Sequence, residues 1–550
     1  MAAADLAYWP ADTSHPVLEL TTGDLLRLAA ADAGDQTALI EVAPPDTPSL
    51  AGADRTDRQW TYGQLLADAQ QCAHWLLTRF SPGERITVWA PNIPEWTILQ
   101  YGAALAGLIL VTANPALRTA ELRYVLAQSR SAGLFHTAAF RGSDMTAIAR
   151  EASAGLPDLR ATVCFGDWPD TVRSHQETDA LPTVRPGDAA QIQYTSGTTG
   201  FPKGALLHHR GLVTNARFMI DRTQLPRRGA VVSAMPLFHT AGCAMGVLGS
   251  AHQRASYVLC QLFDPTLVLT AAARHHADML AGVPTMLIAL LSHPDFDRFD
   301  LSRLSRVLSG GSPVPPELVR RVEERFGVRF TAVYGQTELS PVISQTSPDD
   351  APNDKATTAG RPLPQLEVAI RDPVSGRLMP TGRVGEICAR GYQTMSGYFG
   401  MPQRTAETID ADGWLRTGDL GVLDERGYLT VTGRLKDMII RGGENIYASE
   451  IEQVLFTHPG VRDVTVLGLP DPTWGEIVAA VVVPTDADHV PTVAELRDLC
   501  REKLAPHKTP ARWLTADELP LTGSGKVQKF RLRQQIDRAE LPELLRDRDL

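Results

Sequence analysis

The stretch that decides the fold of this chain is Gln193-Tyr194-Thr195-Ser196-Gly197-Thr198-Thr199-Gly200-Phe201-Pro202-Lys203-Gly204. A strand predicted over 189–194 leads into small hydroxyl residues, three glycines and one lysine. Glycines let backbone N–H groups approach an anion closely, and successive N–H groups form a nest that holds anions. The composition alone also fits a flexible surface loop. A buried strand before it and Lys203-Gly204 after it favour a loop that binds polyphosphate.

This loop differs from a Walker-type P-loop, which requires Gly, four residues and then Gly-Lys followed by Ser or Thr. Lys203 lacks that frame. A second candidate, Gly523-Ser524-Gly525-Lys526, has Pro520 in place of the first glycine and Val527 in place of the hydroxyl. The sequence therefore predicts an ATP user of another kind.

Short apolar runs rich in β-branched residues alternate with helical patterns on the N-terminal side of the loop. Strands are predicted over 85–90 and 131–135. A helix is predicted from the turn at 91–96 to about residue 110, and another over 122–128. Strand–helix–strand alternation indicates parallel sheets covered by helices.

Residues 381–432 have a different pattern, in which short strands (385–388, 428–431) are separated by Gly turns. This pattern is typical of a small antiparallel, barrel-like unit. The predicted class is α/β: a large N-terminal domain (1–434) of parallel sheets covered by helices plus this β-barrel-like subdomain, and a small mobile α+β C-terminal domain (435–550). The C-terminal domain is predicted to contain helices at 448–457 and 493–503 and strands at 438–440, 464–467 and 479–483.

The bulk composition limits the function classes. A length of 550 residues favours two or more domains, and 43% apolar with 21% charged residues is typical of globular proteins. A net charge of -10 provides no overall attraction to nucleic acid or to anionic membranes. The six cysteines form no CxxC pair, and no secretory signal or membrane span is recognisable. We expect a cytoplasmic protein with reduced thiols, no transmembrane segment and no nucleic-acid partner.

Further motifs follow the loop in a characteristic order. They are Tyr334-Gly335-Gln336-Thr337-Glu338, Gly413-Trp414-Leu415-Arg416-Thr417-Gly418-Asp419, Gly433-Arg434-Leu435-Lys436-Asp437, Arg441-Gly442-Gly443-Glu444-Asn445-Ile446 and Thr522-Gly523-Ser524-Gly525-Lys526-Val527. Together with the loop they resemble the motifs of the adenylate-forming superfamily, which includes acyl-CoA synthetases, aryl-CoA ligases, luciferases and peptide-synthetase adenylation domains. The resemblance covers nearly the whole chain and is greatest to medium-chain fatty-acyl-CoA synthetases.

The resemblance implies a site for ATP and AMP. Tyr334 would lie against adenine, and Asp419 would accept hydrogen bonds from both ribose hydroxyls, which suits a carboxylate. Outside this series, Tyr334-Gly335 would be an ordinary turn and Asp419 a turn or cap residue. The implied nucleotide contacts are Thr195, Ser196, Gly197, Thr198, Thr199, Gly200, Lys203, Gly311, Ser312, Pro313, Tyr334, Gly335, Gln336, Thr337, Glu338, Asp419, Arg434 and Lys526.

Adenylation brings two anions together, because a carboxylate must attack the α-phosphate of ATP. Cations must offset the repulsion and hold the reactants in line. The resemblance assigns catalysis to Thr195, Lys203, Glu338 and Lys526. Glu338 would hold Mg²⁺, for which one carboxylate plus substrate phosphates is enough. By itself, Lys526 would be only a solvated charge.

The second half-reaction would pass the acyl group to CoA. The resemblance implies that the small domain swings about a hinge at Lys436, which withdraws Lys526. Gly442 and Gly443 would then line a narrow tunnel for pantetheine, with Arg441 and Glu444 beside it. Glycines suit such a tunnel, because a side chain there would block the thiol arm.

The acid is constrained by Met235-Pro236-Leu237-Phe238-His239-Thr240-Ala241-Gly242. His239 occupies the place where amino-acid-activating relatives have an Asp, which argues against a free α-amino acid. His239 would pack against the carboxylate of the substrate or, alternatively, be a core histidine. Acetate-specific relatives have a Trp where this chain has Gly335. We therefore predict an acyl pocket with His239, Gly242 and Gly335 for a medium-chain fatty acid or a compact aryl or branched acid.

Two alternatives remain open on the sequence. The acyl group could pass to the thiol of a carrier protein or to another nucleophile, because the adenylation motifs would be the same. A non-catalytic nucleotide-binding relative is the other alternative. Loss of Lys526, Glu338 or Asp419 would mark such a protein, and all three are present.

Overall fold

The computed structural model describes most of the chain. The described residues are 6–44, 57–168, 172, 180–195, 202–442, 444–486, 490–521 and 527–544. Two mixed sheets and an antiparallel sheet form the large N-terminal part, and a further sheet forms the smaller C-terminal part. This architecture confirms the predicted α/β class.

The first sheet contains the strand that precedes the glycine-rich loop. Its pairing is parallel through the middle and antiparallel at one edge, where Lys203–His208 pairs with Ala189–Thr195 and with Gly397–Tyr398. The middle strand Ile109–Ala113 is buried throughout, as expected where helices cover both faces. In spatial order the strands are Gly397–Tyr398, Lys203–His208, Ala189–Thr195, Ile109–Ala113, Arg85–Trp89, Gly133–His136 and Ala161–Cys164.

The second sheet has nine strands and carries the Tyr334 motif at the end of one of them. Six adjacent strands run parallel, and both edges are antiparallel. In spatial order they are Arg361–Pro362, Val342–Gln345, Arg329–Gly335, Arg306–Gly310, Met279–Ala281, Ala230–Ser233, Ser256–Cys260, Thr37–Val42 and Gln59–Thr61.

The third sheet is the small antiparallel unit predicted from the Gly-rich region. Its strands are Tyr8–Trp9, Leu366–Arg371, Gly385–Gly391, Leu415–Leu423 and Leu429–Arg434, in that spatial order. The N-terminal strand Tyr8–Trp9 was not anticipated. It pairs with residues more than 350 positions later, so no local pattern indicates it.

The C-terminal sheet has its own core. Its strands are Glu444–Ile446, Ile439–Arg441, Gly475–Pro484 and Val461–Asp471, with Arg512–Thr515 parallel to Gly475–Pro484. The helix Val493–Lys503 has the predicted bounds, because Thr492 and Glu495 form a reciprocal capping box. The division at residues 434 and 435 stays a prediction.

One helix is shorter than expected. The apolar run predicted as a helix to about residue 110 is helical only over Pro94–Leu105. Gly107 adopts a φ of 69°, and the buried strand Ile109–Ala113 begins two residues later. An apolar run does not by itself distinguish a buried helix from a buried strand, which explains the error.

The remaining helices cover the sheets. They are Thr22–Ala33, Tyr62–Leu77, Thr119–Ser129, Met145–Ser153, His209–Thr223, Gly249–Gln253, Pro265–Arg274, Pro284–Leu291, Pro316–Phe326, Pro352–Thr357, Pro402–Thr408, Ala448–Leu455 and Lys529–Asp537, with a π-helix at Ala241–Leu248. Within the described ranges, no helix combines the length and apolarity needed to cross a bilayer. All six cysteines lie in those ranges, and none forms a disulfide.

Candidate active site

One cleft of 1290 Å³ brings together motifs that lie far apart in the sequence. Thr195 and Gly335 each end a strand of a mixed sheet, beside a parallel neighbour, where α/β proteins commonly bind ligands. Asp419 comes from the antiparallel sheet. The cleft is lined by these predicted residues: Thr195, Lys203, His239, Gly311, Tyr334, Gly335, Gln336, Thr337, Glu338, Asp419, Arg434 and Lys436. Their individual roles stay predictions.

Other predicted residues are not part of the described lining. Residues 196–200, Gly443 and Lys526 are outside the described residues. Ser312 and Pro313 follow Gly311 but are not part of the described cleft lining. Gly242, Arg441, Gly442 and Glu444 are also outside the described cleft lining.

Glu338 lies in the short 3₁₀ turn Thr337–Leu339 and is only 9% exposed. Its Oε1 accepts a 2.7 Å hydrogen bond from the Tyr398 hydroxyl. Its backbone carbonyl accepts a 2.9 Å bond from the N–H of Met395. The turn and the side chain are therefore both held by the segment 395–398.

Lys203 begins the strand that follows the glycine-rich loop, directly opposite Thr195. Its Nζ lies 4.3 Å from the centroid of the Tyr398 ring, which is within cation–π range. The predicted phosphate-binding lysine and the predicted magnesium ligand Glu338 thus contact the same tyrosine.

Asp419 is held from two sides. The Tyr334 hydroxyl donates to its Oδ2 at 2.9 Å, and Nε of Arg434, its cross-strand neighbour, lies 3.2 Å from Oδ1. The backbone N–H of Asp419 donates to Oγ1 of Thr417 at 3.0 Å. Burial raises the pKa of the Tyr334 phenol well above its usual value, and the Asp419 charge raises it further. The phenol therefore stays protonated and donates to the carboxylate.

The rest of the cleft is largely apolar. The π-helix Ala241–Leu248 follows His239, whose Nδ1 accepts a 3.3 Å bond from the N–H of Ala241. π-Helical turns are rare and are frequent at functional sites. The apolar lining includes Met235, Phe238, Ala241, Met245, Met279, Ala281, Val283, Leu308 and Val333.

Gly242 was predicted to line the acyl pocket, and the structure corrects this. Gly242 is buried and lies outside the described lining of the cleft. A Cβ atom at this position would lie 2.3 Å from the carbonyl oxygen of Pro236. The glycine therefore allows two backbone segments to pack closely.

Gly335 does line the cleft, but not for the predicted reason. A Cβ atom there would lie 1.9 Å from the Pro341 carbonyl oxygen and 2.9 Å from Cα of Val342. The same carbonyl oxygen accepts a 2.9 Å hydrogen bond from the N–H of Gln336. The absent side chain would point at neighbouring backbone. The interpretation that Gly335 widens the acyl pocket is therefore corrected: its lack of a side chain permits close packing against the next strand.

Arg441 and Glu444, which are predicted to lie beside the CoA tunnel, belong to two paired strands of the C-terminal sheet. Arg441 ends one strand and Glu444 begins the next. Gly442 adopts a φ of 58°, and a Cβ there would lie 2.9 Å from Cε3 of Trp474. Nη1 of Arg441 donates to the His507 carbonyl oxygen at 2.7 Å.

Sequence reasoning missed Tyr398 altogether. It stands 60 residues after Glu338 and belongs to none of the quoted motifs. The neighbouring Gly397 is the one sequence feature that could have drawn attention to this position, and it adopts a φ of 137°. The partner of the hydroxyl is apparent only once the strands are paired.

Similarity to known proteins identifies the family of this chain. The sequence profile of the AMP-binding enzyme family matches residues 27–399, and that of the AMP-binding enzyme C-terminal domain matches residues 450–526. YngI of Bacillus subtilis, whose name assigns it to the acyl-CoA synthetases, is 40% identical over 522 residues, 90% of this chain and 95% of YngI. The human mitochondrial medium-chain acyl-CoA ligase ACSF2 is 35% identical over 516 residues, 88% of this chain and 84% of ACSF2.

A solved structure shows the same fold. ATP-bound MatB from Rhodopseudomonas palustris superimposes with a TM-score of 0.83 at 28% identity, over 94% of this chain and 100% of MatB. Both the sequence profiles and the relatives cover most of the chain. The chain therefore belongs to the AMP-binding enzyme family, as an adenylate-forming ligase of the acyl-CoA synthetase type.

Proposed function

We propose that this chain activates an apolar carboxylic acid with Mg²⁺-bound ATP and transfers the acyl group to CoA. A carboxylate oxygen attacks the α-phosphorus, the bond to the bridging oxygen breaks, and pyrophosphate leaves with its electron pair. The thiolate of CoA then attacks the carbonyl carbon of acyl-AMP, and AMP leaves as the thioester forms. The proposal includes a cytoplasmic location.

The observation that carries this proposal is that polar and apolar residues line one and the same cleft. The polar residues, including Lys203, Glu338 and Asp419, suit a nucleotide, and the apolar residues suit an acyl group. A cleft of 1290 Å³ has room for both.

The polar residues match the charges of adenylation. Asp419 would accept hydrogen bonds from the ribose hydroxyls, and Lys203 would offset phosphate charge. Glu338 fits a magnesium ligand, because Tyr398 occupies one carboxylate oxygen and leaves the other for a cation shared with the phosphates. The cation would neutralise phosphate charge. Lys526 completes the proposed set from the C-terminal domain.

The apolar residues support an apolar acid larger than acetate. Three methionines, Met235, Met245 and Met279, line the cleft, and methionine side chains adapt to different ligand shapes. A medium-chain fatty acid fits this lining, as does a compact aryl or branched acid. The name of the human relative favours the first of these. His239 would lie near the carboxylate of the acid.

CoA is the proposed acceptor. In this proposal the domains divide at residues 434 and 435, and the hinge is Lys436, which lines the cleft. A rotation about this hinge would allow the segment that contains Gly442 to reach the acyl-adenylate. Mg²⁺, the swing of the domain and the tunnel of Gly442 and Gly443 are parts of the proposal. A carrier-protein thiol is the alternative acceptor.

The test has two stages. ATP–pyrophosphate exchange is measured over straight-chain acids from acetate to palmitate, benzoate and branched acids. The preferred acid is then incubated with CoA, with a phosphopantetheinylated carrier protein, or with neither, and products are weighed by mass spectrometry. Exchange with a medium-chain or compact acid and thioester only with CoA are expected. Exchange with acetate alone would overturn the proposed class of acid. Thioester formation only on the carrier protein would overturn CoA as the acceptor.

A further inference from the structure

Tyr398 connects the two charged residues that the proposed adenylation chemistry depends on. It is 5% exposed, its hydroxyl donates to Oε1 of Glu338 at 2.7 Å, and its ring centroid lies 4.3 Å from Nζ of Lys203. One side chain therefore contacts an anion through its hydroxyl and a cation through its ring.

The segment that carries Tyr398 is fixed to both partners by its backbone. Strand Gly397–Tyr398 pairs with the strand that begins at Lys203, and the N–H of Phe399 donates to the Gly204 carbonyl oxygen at 2.8 Å. The N–H of Met395 donates to the Glu338 carbonyl oxygen at 2.9 Å. Tyr398 is thus held at a defined position between the strand that begins at Lys203 and the Glu338 turn.

The backbone around Tyr398 is also specialised. Its N–H donates to Oγ1 of Thr405 at 2.9 Å. Gly397 adopts a φ of 137°, and a Cβ atom there would lie 2.8 Å from Cγ2 of Thr405. A side chain at residue 397 would displace Thr405. The glycine and the threonine together determine where the Tyr398 ring lies.

The arrangement keeps two opposite charges apart. Both residues belong to the described part of the chain, and no ion pair between Lys203 and Glu338 is found there. A direct pair would satisfy each charge with the other and leave neither for ATP. The Tyr398 ring contacts the Lys203 ammonium, and the Tyr398 hydroxyl binds one carboxylate oxygen of Glu338. The ammonium and the carboxylate therefore both stay available to a ligand in the cleft.

We propose that Tyr398 is a positioning residue for adenylation, which holds Glu338 with one oxygen free for the cation of Mg²⁺-bound ATP and holds Lys203 away from Glu338. The inference rests on the proposed function. The inference goes beyond the proposed function, because it assigns Tyr398 a part in the binding of the metal and the nucleotide. Partners that orient a metal ligand typically contribute about 10- to 100-fold to metal affinity.

The decisive variant is Tyr398→Phe, which keeps the ring near Lys203 and removes only the hydroxyl. Mn²⁺ is used as the probe, and its binding to the enzyme–ATP mixture is measured by electron paramagnetic resonance without any acid present. We expect about tenfold weaker Mn²⁺ binding and a matching rise in the Mg²⁺ concentration needed for half-maximal pyrophosphate exchange. Binding of AMP without metal is expected to stay unchanged.

Tyr392→Phe is the matched control. Tyr392 is a half-buried tyrosine six positions earlier, outside the described cleft lining, and its hydroxyl accepts a 3.5 Å bond from Nδ2 of Asn215. Loss of this hydroxyl is expected to leave the metal dependence unchanged. Thermal unfolding of both variants shows whether the fold is retained.

A double-mutant cycle with Glu338→Gln distinguishes positioning from a general structural effect. If Tyr398 acts through Glu338, the hydroxyl adds almost nothing to Mn²⁺ binding once the carboxylate is gone. Additive effects, or parental Mn²⁺ binding by a folded Tyr398→Phe protein, would overturn the inference. If Tyr398→Phe does not fold, 4-aminophenylalanine is incorporated at position 398 instead, because its amino group keeps an N–H donor at the place of the phenol oxygen. Weakened Mn²⁺ binding in that folded protein would then count against the role of the donor. Absence of exchange by the parent enzyme with every acid would instead contradict the proposed function.

Discussion

The phenol of Tyr334 donates a 2.9 Å hydrogen bond to Oδ2 of Asp419, 85 positions later in the chain. The sequence assigned the two residues to separate parts of the nucleotide, adenine and ribose. The structure shows that they form one unit, which Arg434 completes at the other carboxylate oxygen. A substitution of Tyr334, the predicted contact of adenine, should therefore also affect recognition of the ribose.

Tyr334→Phe keeps an aromatic ring for adenine and removes the bond to Asp419. A hydrogen bond to a charged group contributes about 1.5 kcal/mol or more, so the Kd for ATP should rise roughly tenfold. Isothermal titration with ATP and with 2′,3′-dideoxy-ATP checks this. The dideoxy analogue, which lacks the hydroxyls, should bind both proteins with similar affinity. An equal loss for both nucleotides would show that Tyr334 acts on adenine alone.

Lys526→Ala tests the proposed catalytic lysine of the C-terminal domain. Loss of one oriented charge at the transition state should lower the rate of adenylate formation by about a hundredfold or more. Thioester formation from supplied acyl-adenylate should be nearly unchanged, because Lys526 would have withdrawn by then. Lys529→Ala, which removes a nearby lysine bonded to Glu452, is the control. Equal impairment of both half-reactions by Lys526→Ala would contradict the two-conformation scheme.

Gly335→Ala tests the corrected role of this glycine. A Cβ atom 1.9 Å from the Pro341 oxygen forces the backbone apart, which should lower the free energy of unfolding by about 1–3 kcal/mol or more. The ratio of kcat/KM between octanoate and butyrate should stay the same, because the side chain does not enter the cleft. Denaturant unfolding and a chain-length series measure the two effects. Gly187→Ala is the control, since a Cβ there meets no atom within 4 Å. A clear shift toward short acids without loss of stability would restore the original pocket interpretation.

Gly443→Leu tests the proposed pantetheine tunnel. A leucine side chain should block the thiol arm, so pyrophosphate exchange should persist while thioester formation with CoA is lost. Pyrophosphate exchange and thioester formation are both measured on one protein preparation, so that the two rates can be compared directly. Thioester yield equal to that of the parent enzyme would remove the tunnel assignment.

Local sequence patterns predicted elements whose determinants lie within a few residues. The helix Val493–Lys503 begins where Thr492 and Glu495 cap it, and both cap residues stand within one turn. The apolar run ending near residue 110 was misread, since apolarity does not distinguish a buried helix from the strand Ile109–Ala113. Tyr8–Trp9 is also a strand only because Leu366–Arg371 lies beside it.

By itself, the sequence determined the α/β class, the family resemblance and twelve of the residues that line the cleft, because motif chemistry and local periodicity are written in neighbouring residues. Only the tertiary structure decided which of these residues share partners. Tyr398 reaches Glu338 and Lys203 through strand pairing, and Gly335 is limited by the Pro341 carbonyl. Such contacts depend on strand order, register and the direction of each Cα–Cβ bond. These are properties of the folded chain, set by packing between segments distant in sequence.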